Sequence, residues 1–126
     1  MIKTIHHFIN GEFVRAGSGK TFEKRSPLNN AVIARVSEAG QAEVDAAVQA
    51  ARAALEGTWG KLAVTERADL LYAAANEINR RFDDFLAAEV ADTGKPVSLA
   101  RHIDIPRGAT NFKIFADLVK NVSAEC

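Results

Sequence analysis

The sequence predicts an α/β chain that opens with short strands and continues into four or five helices. Three observations carry this reading. Asn10-Gly11 stands between two β-type runs, Phe8-Ile9 and Glu12-Phe13-Val14, and both residues tolerate the positive φ of a two-residue hairpin turn. At Ser37 the spacing of apolar residues changes from two to 3.6. Asp92-Thr93-Gly94-Lys95-Pro96 is a stop between helical patterns, because Gly94 can take positive φ after a helix and Pro96 cannot continue one. Strands and hairpin therefore occupy residues 1–36, and the helical part residues 37–126.

After the hairpin, Arg15 to Lys20 reads as a polar Gly/Ser loop. Thr21 to Glu23 and Ala31 to Val36 read as extended segments around the turn Ser26-Pro27-Leu28-Asn29-Asn30, which gives two to four strands in all. The first helix is expected from about Gln41 to Leu55, with Val44, Ala47, Val48, Ala51 and Leu55 on one face and Gly57 ending it. Trp59 is expected in the connection, plugging a gap between helices. Thr65 is read as the N-cap of the next helix, whose apolar face is Leu70, Leu71, Ala74, Ala75, Ile78 and Phe82. Glu77 and Arg81 are spaced as an i,i+4 pair. A third helix, from about Asp84 to Ala91, turns Phe85, Leu86 and Val90 inward. Past the stop, a short helix or turn covers Val97 to Ile103. Asp104-Ile105-Pro106 then sets a proline where a helix starts or bends, and a last helix runs from about Pro106 to Lys120.

The length, 126 residues, is that of one domain, and 48% hydrophobic with 25% charged residues is the mix of a globular chain. Sixteen basic residues balance sixteen acidic ones, which gives no reason to expect nucleic acid or an anionic membrane as partner. Apolar runs are too short to span a bilayer, and the N-terminus lacks the apolar core of a secretory signal. Cys126 is the only cysteine, so a cytoplasmic protein without intrachain disulfides is expected. The chain stops just after an apolar helical pattern, as a truncated protein does.

Most chemical motifs yield to ordinary readings. Gly17-Ser18-Gly19-Lys20-Thr21 invites a phosphate-loop reading, but position 14 is Val14 where that motif needs glycine, and the segment after Thr21 looks extended. His6 and His7 point to opposite faces of a strand and cannot chelate one metal together. His102 is remote, and a solvent-exposed role is expected for all three. Cys126, the last residue, has no partner base in its setting and is read as inert. Arg107 is different. A cation near a helix start is unfavourable against the helix dipole and asks for an anion. Asp104 or another acid could supply it. So could the carboxylate of a ligand, held bidentately by the guanidinium fork. The residues alone leave both readings open.

Seven short motifs then resemble one family, in order and at its spacing: Phe8-Ile9-Asn10-Gly11-Glu12-Phe13-Val14, Thr21-Phe22-Glu23 with Pro27, Val32 to Val36, Asp45 to Arg52, Trp59, Glu66-Arg67-Ala68 and Asp92 to Pro96. They are similar to the N-terminal part of NAD(P)-dependent aldehyde dehydrogenases. His102 to Phe112 resembles the branch that oxidises 2-hydroxymuconic semialdehyde or its amino analogue in aromatic-ring degradation. The resemblance implies a Rossmann-like cofactor domain, a catalytic domain and an oligomerisation hairpin, with this chain supplying N-terminal strands and flanking helices. It implies NAD as cofactor, a semialdehyde carboxylate as substrate and a homo-oligomer at full length. It also implies thiolate attack on the aldehyde, an oxyanion held by preorganised donors, and hydride passing to the nicotinamide. The nucleophile, general base and cofactor-holding residues have no matching positions here, so the chain alone is expected to be inactive. A non-catalytic interaction module on the same scaffold is the alternative. Arg107 matches the arginine placed to bind the substrate's carboxylate. Lys24, Arg25 and Asp92 match positions that hold a monovalent cation through backbone oxygens.

Overall fold

Asn10 and Gly11 adopt φ of 53° and 82°, the double positive value that a two-residue turn needs to follow the twist of its strands. They join β2 (His7–Ile9) to β3 (Glu12–Val14) in an antiparallel hairpin. The rings of Phe8 and Phe13 meet across it, 5.1 Å apart. A separate three-stranded sheet has the order β1-β5-β4, from β1 (Lys3–Ile5), β4 (Thr21–Arg25) and β5 (Val32–Ser37). β5 is central: β4 runs antiparallel to it and β1 parallel. The computed structural model describes residues 2–122, and Cys126 lies outside them. Among the described residues five strands thus replace the two to four expected. β1 is the addition: three residues with no alternation of their own, held by pairing Lys3, Thr4 and Ile5 with Ala34, Arg35 and Val36.

The helices are α1 (Gln41–Glu56), α2 (Thr58–Lys61), α3 (Val64–Arg80), α4 (Phe82–Thr93), α5 (Val97–Leu99) and α6 (Ile105–Asn121). Two compact units divide the chain, Met1–Lys61 and Leu62–Cys126. In the first, Glu43 fixes the start of α1. Its carboxylate accepts the Gly17 N–H at 2.8 Å and the Gly40 N–H at 2.7 Å. The loop after β3 is thereby fastened to the helix N-terminus. Those two amides, Gly17 first, hold the Glu43 carboxyl below its usual range. A lowered folded pKa means stabilisation that is complete above the ordinary value of 4.5 and lost as pH falls through the lowered one. Amide exchange at Gly17 is therefore expected to be slow at neutral pH and to lose protection on acidification. In Glu43→Ala the protection should be missing at every pH. Protection unchanged by the substitution would contradict the clamp.

No α1 residue is buried, and the apolar face expected on it stands open, with Val44, Val48 and Leu55 exposed. Trp59 lies inside α2, not in a bare connection, and is 42% exposed, so it fills no gap within the described residues.

In the second unit α3 and α6 pack antiparallel. Lys120 donates to Asp69 at 2.8 Å, and the Tyr72 hydroxyl donates to Asp117. The fully or nearly fully buried positions on this pair are Ala68 and Ala75 on α3 and Ala109 and Ala116 on α6. Two rows of alanine at seven-residue spacing let the backbones approach closely. A second cluster joins Leu86, Ala100 and Ile105, with Ile78, Phe82 and Val90 against it.

Several expectations are corrected here. The N-cap of α3 is Ala63, not Thr65, which falls in the first turn; Glu66 caps instead, accepting the Ala63 N–H at 2.7 Å. Glu77 pairs with Arg80, one residue short of the expected partner, while Arg81 reaches Asp84 across the kink between α3 and α4. Leu70 and Phe85 are exposed at 49% and 39% rather than turned inward, and the Arg81 guanidinium covers the Phe85 ring.

Candidate functional site

The stop at Asp92 to Pro96 forms as expected. Gly94 takes φ 69° and ψ 12°, the left-handed C-cap of α4, and its N–H returns to the Val90 carbonyl at 3.0 Å. The expected second break does not form. From Val97 the chain runs helically through α5, a π turn at Ala100–Asp104 and α6 without interruption. Pro106 explains the wide turn. It has no N–H to donate, and its ring would crowd the carbonyl four residues earlier. Widening to an i→i−5 pattern, in which the Ile105 N–H bonds to the Ala100 carbonyl, absorbs both effects.

This continuity changes the surroundings of Arg107. It lies about three turns from the true helix start, beyond the range of the dipole effect that seemed to demand an anion. The expected partner Asp104 is also engaged elsewhere. The Lys95 ammonium donates to its carboxylate at 3.0 Å and reaches Glu89 at 3.4 Å. Asp104, more than Glu89, holds that ammonium above its usual pKa range. Arg107 is exposed and has no hydrogen bond or ion pair with another described residue. Its backbone is nonetheless fixed, because Ile105 and Ala109 on either side are buried. The site is therefore a guanidinium on an anchored helix, with its nearest helical acid already paired. Lys95 was not singled out from the sequence as more than part of a stop. Its nine-residue separation from Asp104 matches no local pattern, and the chain between them passes through α5 and the π turn.

The other candidates fall in different units. Lys24 and Arg25 lie on β4 in the first unit, where the Arg25 side chain bonds to the Asn30 carbonyl and pairs with Glu23; Asp92 lies near the end of α4 in the second. Among the described residues no group of three or more His, Cys, Asp or Glu side chains is placed to hold a metal. His6 and His7 are half-buried, contrary to the solvent-exposed role expected. His6 Nδ1 lies 3.2 Å from the hydroxyl of buried Ser37, and His7 Nε2 is buried without a hydrogen-bond partner among the described residues. His102 is exposed and donates from Nδ1 to the Ser98 carbonyl at 2.8 Å. Thr21 opens a strand rather than a helix, so the Gly17 to Thr21 loop presents no helix N-terminus to a phosphate.

Comparison with known proteins then decides the family. Residues 13–126 match the family described as "Aldehyde dehydrogenase family". The chain belongs to the aldehyde dehydrogenase family. It is 67% identical over 124 residues to the 2-hydroxymuconic semialdehyde dehydrogenase of Pseudomonas sp. (strain CF600), covering 98% of this chain and 26% of that protein. It is 49% identical over 118 residues to the 2-aminomuconic 6-semialdehyde dehydrogenase of a Pseudomonas species, covering 94% and 24%. The NAD+ complex of the Bacillus cereus aldehyde dehydrogenase superposes with a TM-score of 0.90 at 40% identity, over 95% of this chain and 25% of that one. The chain thus spans about a quarter of the length of the aldehyde dehydrogenases it matches. Among the described residues no helix is long and apolar enough to cross a membrane.

Proposed function

We propose that the chain is the leading part of an NAD-dependent aldehyde dehydrogenase that oxidises a carboxylate-bearing semialdehyde, of the 2-hydroxymuconic kind, to the dicarboxylate in aromatic-ring breakdown. The observation that carries this is the 67% identity, over 98% of the chain, to a protein of that named activity. Arg107 supports it: an exposed guanidinium without a partner among the described residues, on a backbone anchored by Ile105 and Ala109, can take a carboxylate in two parallel hydrogen bonds. Its task is to orient the substrate so that the aldehyde end is presented to groups elsewhere in the enzyme.

Among the described residues the glycine-rich loop Gly17 to Thr21 leads into β4 and not into a helix, so it presents no helix N-terminus to a dinucleotide phosphate. The chain alone is inactive on this reading, and all of it belongs to the cofactor-binding domain of a longer cytoplasmic homo-oligomer. The longer enzyme, supplied with NAD, should turn over 2-hydroxymuconic semialdehyde with a kcat/KM about ten- to a hundredfold above that for an uncharged aldehyde of similar length, the value of one charge-assisted bidentate pair. Equal values for both aldehydes would sink the carboxylate reading. No NAD reduction with either would favour a non-catalytic module.

A further inference from the structure

Arg107 and Asp104 are three apart on one helical run, the spacing at which opposite charges ordinarily pair. They do not pair here. Asp104 turns to Lys95, which the left-handed Gly94 has just directed out of α4, and Glu89 approaches the same ammonium from the last turns of that helix. We propose that Lys95 is a positioning residue for substrate recognition: by occupying the Asp104 carboxylate it keeps Arg107 unpaired and available to the carboxylate of the substrate. This deepens the proposed function and rests on the reading of Arg107 given there.

The argument is one of competition. An arginine with a free aspartate at i−3 must give up that partner before it can bind a ligand, and the ligand's apparent affinity falls accordingly. Lys95 removes the competitor. It does so from outside the helix, across the stop, so the Gly94 turn and the π turn both contribute to the arrangement. Two other acids of this unit also have cationic partners: Glu89 shares Lys95 at 3.4 Å, and Asp83 lies 3.6 Å from Arg101, which stands over the Phe82 ring.

A four-member kinetic cycle in the full-length enzyme, with 2-hydroxymuconic semialdehyde and an uncharged aldehyde as substrates, tests this. Lys95→Met frees Asp104 and should raise KM for the carboxylate substrate about two- to fivefold, the range of an exposed ion pair, while leaving the uncharged aldehyde unchanged. Asp104→Asn in the wild-type background should change little, because Lys95 already holds that group. In the Lys95→Met background the same substitution should restore KM. This non-additivity distinguishes competition from a general change of field, which would make the two substitutions additive. Additive effects, equal losses on both aldehydes, or no rise in Lys95→Met would overturn the inference. If Arg107→Ala is itself unselective, the carboxylate reading falls and the inference with it. A selective Arg107→Ala beside an unselective Lys95→Met overturns the role of Lys95 alone. Should Lys95→Met unfold, Lys95→Ala, which likewise leaves the Asp104 carboxylate without a donor from position 95, serves in its place with the same expectations.

Discussion

Replacing Arg107 with alanine is expected to raise KM for 2-hydroxymuconic semialdehyde about ten- to a hundredfold in the full-length dehydrogenase, and to leave an uncharged aldehyde nearly untouched. The magnitude is that of a guanidinium–carboxylate pair with two charge-assisted hydrogen bonds, ~1.5–3 kcal/mol. The selectivity follows from where Arg107 stands. It is exposed, it bonds to no other described residue, and the packing of its helix is carried by Ile105 and Ala109 on either side. Alanine at 107 removes the fork and leaves that packing alone. Arg107→Lys separates charge from geometry: a lone ammonium keeps the attraction but loses the second parallel bond, so it should recover only part of the loss. On the proposed role the loss should appear chiefly in KM, because a group that holds the remote carboxylate would do so equally before and during the reaction. Equal losses on charged and uncharged aldehydes would assign Arg107 a structural role instead.

The parts of this chain that obey local rules were legible in its sequence, and the parts set by distant partners were not. Asn10-Gly11 and Gly94 were readable because each backbone conformation is one that few residues accept. The change of period at Ser37 showed the start of the helical half for the same reason, a pattern contained in a few turns. β1 was missed because Lys3 to Ile5 becomes a strand only through β5, some thirty residues away. Thr65 misled, since a good capping residue stood two places inside a helix that Glu66 caps. Pro106 suggested a break, and the chain absorbed it by widening one turn. Arg107 stood out for a reason the structure removes: it is not near a helix start. Its helical neighbour Asp104 is held by Lys95, a contact across the stop that no spacing rule reports.

Among the described residues both units carry exposed apolar faces. On α6, Phe112, Phe115 and Val119 lie at helical spacing on one stripe, and all are exposed, Phe115 at 63%. On α1, Val44, Val48 and Leu55 do the same. A contiguous stripe of this kind is costly in water and belongs against another surface. The chain covers about a quarter of the aldehyde dehydrogenases it matches, so the natural cover is the remainder of that enzyme. Phe115→Asp tests this when thermal and denaturant unfolding are measured twice, in the full-length protein and in the 126-residue chain. In the full-length protein the substitution should cost about 3–5 kcal/mol, because it removes a packed ring and leaves an uncompensated charge in its place. In the chain alone it should change stability by no more than about 0.5 kcal/mol and reduce self-association, because the site already faces water. A small effect in both settings would contradict the account, for the stripe on α6 would then be an outer surface of the whole enzyme.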